Sequence, residues 1–265
     1  MDRTRPARKP VATPPRLVAI ACWFDLLGYG EMMDEAGFDP THPGAQTPLK
    51  RLRAFHRIVR EHSSQNFPTL VMNDGAVAHA PVSPTSGEKV WTFIQRSWEL
   101  YRAATVVDQG NGGPGLRAVI AVGLRAKGSR EGIDAQEASF AGLLERVAEQ
   151  QITLDRAKTL ARSIRRSFDI VPTLQANFAF ARAYLAESSG TKGGFPGPNI
   201  FLDTKVFRGG IPTWVDADPP FEWIPKRASL ATRFVALRGF NDAKFELDDF
   251  RTGDELYPEL RFHAT

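Results

Sequence analysis

The sequence predicts an α+β fold of the ferredoxin-like type, a mixed sheet covered by helices mainly on one face. Three observations predict it. An unbroken run of apolar residues opens the folded part of the chain, a short hairpin signal follows, and segments with helical spacing lie on both sides of that hairpin. The order strand, helix, hairpin, helix, strand is typical of this fold class.

The first four elements have distinct local signals. Every residue of 17–24 is apolar, as in a central strand covered on both faces. A helix capped by Thr47 and opened by Pro48 runs to about His62, with apolar residues at helical spacing and water-facing Arg and Lys between them. Asn73-Asp74-Gly75 between two short apolar runs predicts a hairpin.

The later elements follow from the same patterns. Apolar periodicity predicts a helix over 89–104, a buried strand over 116–124 and a further helix over 173–187. Between the last two, residues 128–167 resemble an inserted pair of helices, and 168–172 is extended because it ends in a proline. Three short strands complete the sheet, at 199–202, 221–224 and 233–237.

Composition bounds the classes of protein that the chain can belong to. With 265 residues and 42% hydrophobic residues, most of it is expected to fold, as one domain over 17–265 behind a flexible basic arm over 1–16. The longest apolar run is too short to span a bilayer, and the single Cys22 cannot form an internal disulfide. We therefore expect a cytoplasmic protein without membrane contact. The net charge of +4 is concentrated toward the arm, so nucleic-acid binding is not expected of the domain.

Two aspartates stand where carboxylates can converge. Asp25 directly follows the first buried strand, and Asp74 lies in the hairpin turn predicted beside that strand. Oxygen-rich sites suit Mg²⁺ or Mn²⁺, and two such ions stabilise both reacting oxygens in phosphoryl transfer. Two simpler alternatives stay open, since Asp25 can cap the next turn and Asp74 is a residue that hairpin turns prefer.

At these positions the chain resembles the class III nucleotidyl cyclases, the adenylate and guanylate cyclase family. The resemblance extends over roughly residues 17–240 and lies in the shared order of its motifs. These are Phe24-Asp25-Leu26-Leu27-Gly28-Tyr29, Asn73-Asp74-Gly75, Phe168-Asp169-Ile170, Asn177-Phe178-Ala179-Phe180-Ala181-Arg182 and Asn199-Ile200-Phe201-Leu202.

The resemblance implies a homodimer that cyclises a nucleoside triphosphate at clefts shared between its protomers, with the two-metal chemistry of Mn²⁺ or Mg²⁺. It places both metals on Asp25 and Asp74, with Leu26 in the same set. It places the triphosphate on the backbone amides of Leu27, Gly28 and Tyr29, and the nucleobase on Asp169. Stabilisation of the transition state falls to Asn177 and to Arg182 of the partner chain, and a further phosphate contact to Arg238.

Two departures from the family pattern bear on mechanism and substrate. Asn177 and Arg182 are five residues apart where the family has four, a rotation of about 140° around a helix, whereas Gln175 and Arg182, seven apart, share a face. Either Gln175 replaces Asn177, or a bulge restores the register, or the site is degenerate. Four residues before Asp74, where purine cyclases have a base-reading lysine, this chain has Leu70.

These departures resemble the bacterial pyrimidine cyclases of the Pycsar antiphage defence system, which make cyclic UMP or cyclic CMP as a second messenger. The carboxylate of Asp169 can accept from uracil N3 or from the cytosine amino group, so it does not choose between them. The sequence thus predicts a pyrimidine cyclase acting on UTP or, as the second choice, CTP. The alternatives are a non-catalytic cyclase-like module that binds a nucleotide or partner, and a nucleic-acid-binding domain that uses the basic arm.

Overall fold

We describe a computed structural model of the chain over residues 16–128, 130–164, 170–225, 231–241 and 245–258. The basic arm predicted at 1–16 lies almost entirely outside the described residues. The strands are β1 Arg16–Leu26, β2 Thr69–Met72, β3 Gly75–Pro81, β4 Leu116–Ala126, β5 Ile200–Asp203, β6 Val215–Ala217, β7 Phe221–Trp223 and β8 Thr232–Phe240. The helices are α1 Tyr29–Glu35, α2 Gln46–His62, α3 Glu88–Gly110, α4 Glu131–Ala148, α5 Leu154–Ser163, α6 Phe178–Ser188 and α7 Gly253–Leu256.

The eight strands form one mixed sheet. Its order is β2-β3-β1-β4-β5-β8-β6, and β7 pairs with β8. The first four strands and the helices α2 and α3 follow the order strand, helix, hairpin, helix, strand, with β1 between β3 and β4. The pairs β1–β3 and β5–β8 are antiparallel and β4–β5 is parallel. The predicted α+β fold of the ferredoxin-like type is therefore confirmed.

The central strand β1 is buried because both of its faces are covered. Its even-numbered residues from Val18 to Phe24 belong to a large core that includes Phe55 of α2 and Ile94 of α3. Ala19 and Ala21 point to the other face and pack with Ala179 of α6. This two-sided burial explains why the strand lacks alternation between apolar and polar residues.

The chain divides into two compact units. One consists of the sheet and its helices, within residues 17–125 and 176–265, and the other contains residues 126–175 with α4 and α5. The bounds of these two helices fall within the stretch predicted to hold a helical pair. Thr153 caps α5 by accepting from the amide of Arg156.

The structure corrects the start of α6. The helix begins at Phe178 and not at Thr173, because Ala176 has a left-handed φ of 45° and Asn177 takes an extended conformation and caps the helix. Residues 172–176 form turns instead. The short elements α1, β6 and α7 were not predicted from the sequence.

Candidate active site

Asp25 and Asp74 are brought together by the pairing of β1 with the β2–β3 hairpin. Asp25 is the penultimate residue of β1 and pairs with Gly75, the first residue of β3. The next amide, that of Leu26, donates to the carbonyl oxygen of Asp74 at 3.0 Å. The register therefore places both carboxylates at the same end of the same strand pair, as the sequence predicts.

The hairpin turn is shaped by its neighbours as well as by its own residues. Asn73 adopts a left-handed φ of 56°, which asparagine tolerates, and its side-chain amide donates to Asp74 Oδ1 at 3.1 Å. Gly75 lies against the Trp23 indole so closely that a Cβ there would be 2.3 Å from Trp23 Cζ2. The glycine thus allows the turn to close over the tryptophan.

Burial first, and neighbouring negative charge second, determine the electrostatics of the site. Burial raises the pKa of Asp25 to about 7, with further increases from the carboxylates of Glu187 and Asp74 and an opposing effect of Arg117. Glu187 of α6 accepts from Arg117 Nε of β4 at 2.7 Å, and its side chain is 6% exposed. Sequence reasoning missed both residues, although Glu187 stands at helical spacing from the buried Ala183, a position that signals a partnered acid.

Among the described residues, no three acidic, histidine or cysteine side chains cluster as a metal site, so a divalent cation here would bind to two carboxylates and backbone oxygen. The raised pKa of Asp25 comes from burial and from neighbouring carboxylates, and a bound cation relieves both effects; oxygen ligands suit Mg²⁺ and Mn²⁺. Asp25 and Asp74 would be the anionic ligands. The Leu26 side chain is a hydrocarbon and its amide donates to the Asp74 carbonyl, so Leu26 can contribute only its own carbonyl oxygen.

The turn after β1 carries the three residues expected to bind phosphates. Gly28 has a φ of 71° and precedes α1 without a side-chain cap, so amides of the first helical turn have no partner within the helix. The amide of Leu27 differs from that expectation, because it donates to the Gly115 carbonyl at 3.2 Å. Tyr29 is buried, and burial together with the Asp74 carboxylate raises the pKa of its hydroxyl.

One basic residue of α2 departs from the sequence prediction. Arg51 was expected to face water with its neighbours, but its side chain is fully buried and paired with Asp108 of α3. Arg51 lies four residues before Phe55 and seven before Ile58, on the buried stripe of the helix. That spacing was the available signal.

Asn177 and Gln175 are not on one helix with Arg182. Asn177 is the N-cap of α6, where its Oδ1 accepts from the Phe180 amide at 3.1 Å, and its backbone pairs with Arg125 in an isolated bridge. Gln175 is an exposed turn residue that precedes the helix. The expectation that Gln175 and Arg182 share a helical face is therefore wrong, because the helix starts three residues after Gln175.

Arg182 lies inside its own protomer. Its Nη1 donates to the Val122 carbonyl at 3.0 Å and lies 3.4 Å from Asp203 Oδ2, and its Nε is buried without a hydrogen-bond partner. Asp203 is fully buried and also accepts from Thr232 Oγ1 at 2.7 Å. A role for Arg182 in catalysis stays a prediction.

The remaining predicted residues are spread over the sheet. Leu70 lies half-buried on β2 opposite Val77. Arg238 of β8 is exposed, donating from Nε to Asp218 Oδ1 at 2.9 Å and from Nη1 to Asn199 Oδ1 at 2.7 Å. Asp169, the expected nucleobase ligand, lies outside the described residues. The structure thus groups Asp25, Leu26, Asp74 and the turn after β1.

No protein-family model matches the chain, and no curated protein matches its sequence. Among solved structures, the guanylyl cyclase Cya2 has 14% sequence identity and a TM-score of 0.49, over 86% of this chain and 94% of that one. The guanylate cyclase domain of RhGC from Catenaria anguillulae, in complex with GTP, has 9% identity and a TM-score of 0.41, over 84% and 97%. A bacterial light-regulated adenylyl cyclase has 10% identity and a TM-score of 0.41, over 95% and 58%.

In the described part of the chain, no helix combines the length and apolar character needed to cross a membrane.

Proposed function

We propose that the chain is a nucleotidyl cyclase that converts UTP, or as the second choice CTP, to the 3′,5′-cyclic monophosphate and pyrophosphate. The observation that carries the proposal is the pairing of Asp25 with Gly75, which places two carboxylates at one strand end. The adjoining turn offers backbone amides at Gly28 and Tyr29, and turn amides commonly bind anions.

The reaction joins two atoms of one substrate. The 3′-oxygen forms a bond to the α-phosphorus, the bond from that phosphorus to the bridging oxygen of the β-phosphate breaks, and pyrophosphate and the hydroxyl proton are released. Two divalent cations, when bound, would stabilise the charge on the attacking and leaving oxygens. Asp25 and Asp74 would hold them, and the amides of Gly28 and Tyr29 would orient the triphosphate.

The preference for a pyrimidine rests on one position. Leu70 is four residues before Asp74 on β2, where the purine cyclases that the sequence resembles have a lysine. A leucine cannot donate to a purine ring, so the base contact would fall to Asp169. A second messenger made from UTP would fit a role in antiviral defence, which is part of the proposal.

Assembly as a homodimer also belongs to the proposal. The family resemblance implies that Arg182 acts across a dimer interface. Because Arg182 is held by Asp203 within its own protomer, it would have to leave that contact to reach a phosphate.

This buried contact favours a second candidate, a cyclase-like module that binds a nucleotide without turning it over. A module needs the carboxylates and the turn but not a mobile arginine. The two candidates share a binding site and differ in product formation.

The test is incubation of the purified protein with each of the four ribonucleoside triphosphates and Mn²⁺, followed by mass spectrometry of the products. Asp74→Asn is the blank. Asp39→Asn is the matched control, because Asp39 is an exposed acid whose carboxylate is bound locally by Thr41. Cyclic UMP or cyclic CMP from the wild type and from Asp39→Asn alone would support the cyclase. Binding of UTP without any cyclic product would support the module, and cyclic AMP or GMP alone would reject the pyrimidine preference.

A further inference from the structure

Arg51 and Asp108 form a buried ion pair between α2 and α3. Arg51 Nε lies 2.8 Å from Asp108 Oδ1, and Arg51 Nη2 lies 3.0 Å from Oδ2, so the guanidinium binds the carboxylate with two parallel hydrogen bonds. The two side chains are 0% and 3% exposed. Such bidentate geometry fixes both groups in orientation as well as in distance.

The pair also holds the turn that follows β1. Arg51 Nη2 donates to the Leu27 carbonyl at 2.7 Å, and Asp108 Oδ2 accepts from the Gly115 amide at 2.9 Å. The Gly115 carbonyl in turn accepts from the Leu27 amide at 3.2 Å. The four residues form a closed ring of hydrogen bonds in which both backbone polar groups of Leu27 are engaged.

The chain is packed tightly around this ring. A Cβ at Gly113 would be 2.1 Å from Asp108 Oδ2 and 2.3 Å from Arg51 Nε. Arg51 Nη1 also lies 3.0 Å from the sulfur of Met32, in the helix that follows the turn. The ring therefore leaves the turn little freedom to change conformation.

Burying two charges costs several kcal/mol in desolvation, and well-packed apolar residues commonly serve as well for stability alone. An apolar pair could join α2 to α3. It could not donate to the Leu27 carbonyl or accept from the Gly115 amide. The polar pair therefore provides two hydrogen bonds to the backbone of the turn that an apolar pair cannot provide.

We propose that Arg51 and Asp108 are positioning residues for the triphosphate site, which they serve by fixing Leu27 and hence the amides of Gly28 and Tyr29. The inference rests on the proposed function, since it concerns the same turn. Neither side chain needs to touch the substrate. Lysine cannot replace Arg51, because an ammonium group lacks the planar fork that binds Asp108 and Leu27 together.

The test compares Arg51→Lys and Asp108→Asn with Arg53→Lys, an exposed position on the same helix. Inorganic tripolyphosphate with Mn²⁺ is the probe, measured by calorimetry at a temperature where each variant is folded by circular dichroism. We expect the affinity for tripolyphosphate to fall about tenfold or more in the two ring variants and to be unchanged in Arg53→Lys. Affinity for Mn²⁺ alone, which Asp25 and Asp74 would provide, should change little.

Enzyme kinetics supply a second readout that a loss of stability alone does not produce. Loss of uniform triphosphate binding raises KM with kcat nearly unchanged, whereas partial unfolding lowers the apparent kcat. Wild-type tripolyphosphate affinity in a folded Arg51→Lys variant would overturn the inference.

If neither ring variant folds, the test is an NMR titration of the wild-type protein with tripolyphosphate. The amide resonances of Gly28 and Tyr29 should then shift when tripolyphosphate is added, and unchanged resonances would overturn the inference. Tripolyphosphate binding without cyclic product would refute the proposed activity and leave the positioning role standing. Absence of both Mn²⁺ and tripolyphosphate binding would refute the two together.

Discussion

The Leu26 amide and the Asp74 carbonyl oxygen are joined by a 3.0 Å hydrogen bond at the point where β1 ends and the hairpin turns. This bond continues the β1–β3 ladder by one step beyond the pair of Asp25 and Gly75. A slip of one residue in this ladder would turn the side chains of one strand to the opposite face of the sheet. The geometry of the candidate metal site therefore depends on strand register as much as on the two carboxylates.

Gly75→Ala should destabilise the protein and weaken the site. The added methyl would meet the Trp23 indole at 2.3 Å, and overpacking of this kind typically costs about 1–3 kcal/mol. Because Asp74 precedes Gly75, the shifted turn should also lower the affinity for Mn²⁺. Urea denaturation and a Mn²⁺ titration measure the two effects.

Gly110→Ala is the matched control for that experiment. Gly110 is the last residue of α3 and has nothing within 4 Å of the position that a Cβ would take. We expect its stability to equal or slightly exceed that of the wild type. Equal stability of Gly75→Ala and Gly110→Ala would contradict the close packing of Trp23 over the turn.

The pH dependence of the metal-free protein should report on Asp25. Burial and neighbouring acids raise its folded pKa to about 7 from the ordinary value of 3.8. A raised folded pKa stabilises the fold fully below the unfolded value, and that stabilisation is lost as the pH rises through the folded value. The wild type should therefore lose stability relative to Asp25→Asn between about pH 4 and about pH 7.

Thermal denaturation of both proteins with EDTA, at a series of pH values, measures this difference, and the other titrating groups cancel in the comparison. Mn²⁺ should restore the stability of the wild type above about pH 7, because metal and proton compete for the same carboxylate. Parallel stability curves for the two proteins across this range would refute the raised pKa.

Asp203→Ala should be among the more damaging single substitutions in the sheet. It would leave the buried Arg182 guanidinium without its carboxylate, and breaking a buried pair in this way costs about 3–5 kcal/mol. Asp218→Ala removes the acid of an exposed pair with Arg238 and should cost less than about 1 kcal/mol. Chemical denaturation measures the free energy of unfolding of both variants. Equal decreases in the two variants would argue against the buried environment of Arg182.

Arg238→Ala distinguishes a role of Arg238 in binding a substrate phosphate from a role in stabilising the fold. The side chain is 45% exposed and pairs with Asp218, so its loss should change stability by less than about 1 kcal/mol. If Arg238 binds a phosphate of the substrate, KM for the triphosphate should rise several-fold. Arg233→Ala, an exposed arginine on the same strand, should leave KM unchanged. An unchanged KM in Arg238→Ala would remove this residue from the proposed site.

Local patterns predicted the elements that carry the two aspartates. The apolar run before Asp25 and the turn sequence Asn73-Asp74-Gly75 each contain their own signal, and the structure has a strand and a hairpin there. The start of α6 was predicted wrongly because apolar spacing continues from Leu174 into the helix, whereas the left-handed Ala176 interrupts the backbone. Side-chain periodicity does not report such a change in φ.

Local sequence patterns could not predict which residues pair with the buried charges. Arg51 and Asp108 are separated by 57 positions, and Arg117 and Glu187 by 70. Arg51 and Glu187 each have a helical spacing that suggests burial, but the pairing arises only when α2 packs on α3 or α6 on β4. Local patterns in a single sequence do not indicate which distant positions come into contact.

The backbone bridge between Arg125 and Asn177 has a consequence for how this protein can be re-engineered. The two residues bracket 126–175, so the chain leaves the sheet unit and re-enters it at adjacent points. Within that segment, α4 and α5 are the part that can be exchanged. Replacing these two helices with a short glycine-rich tether, or with a sensor domain whose termini lie close together, preserves the threading of every strand, keeps Asp169 in the chain and offers a place to install an external input.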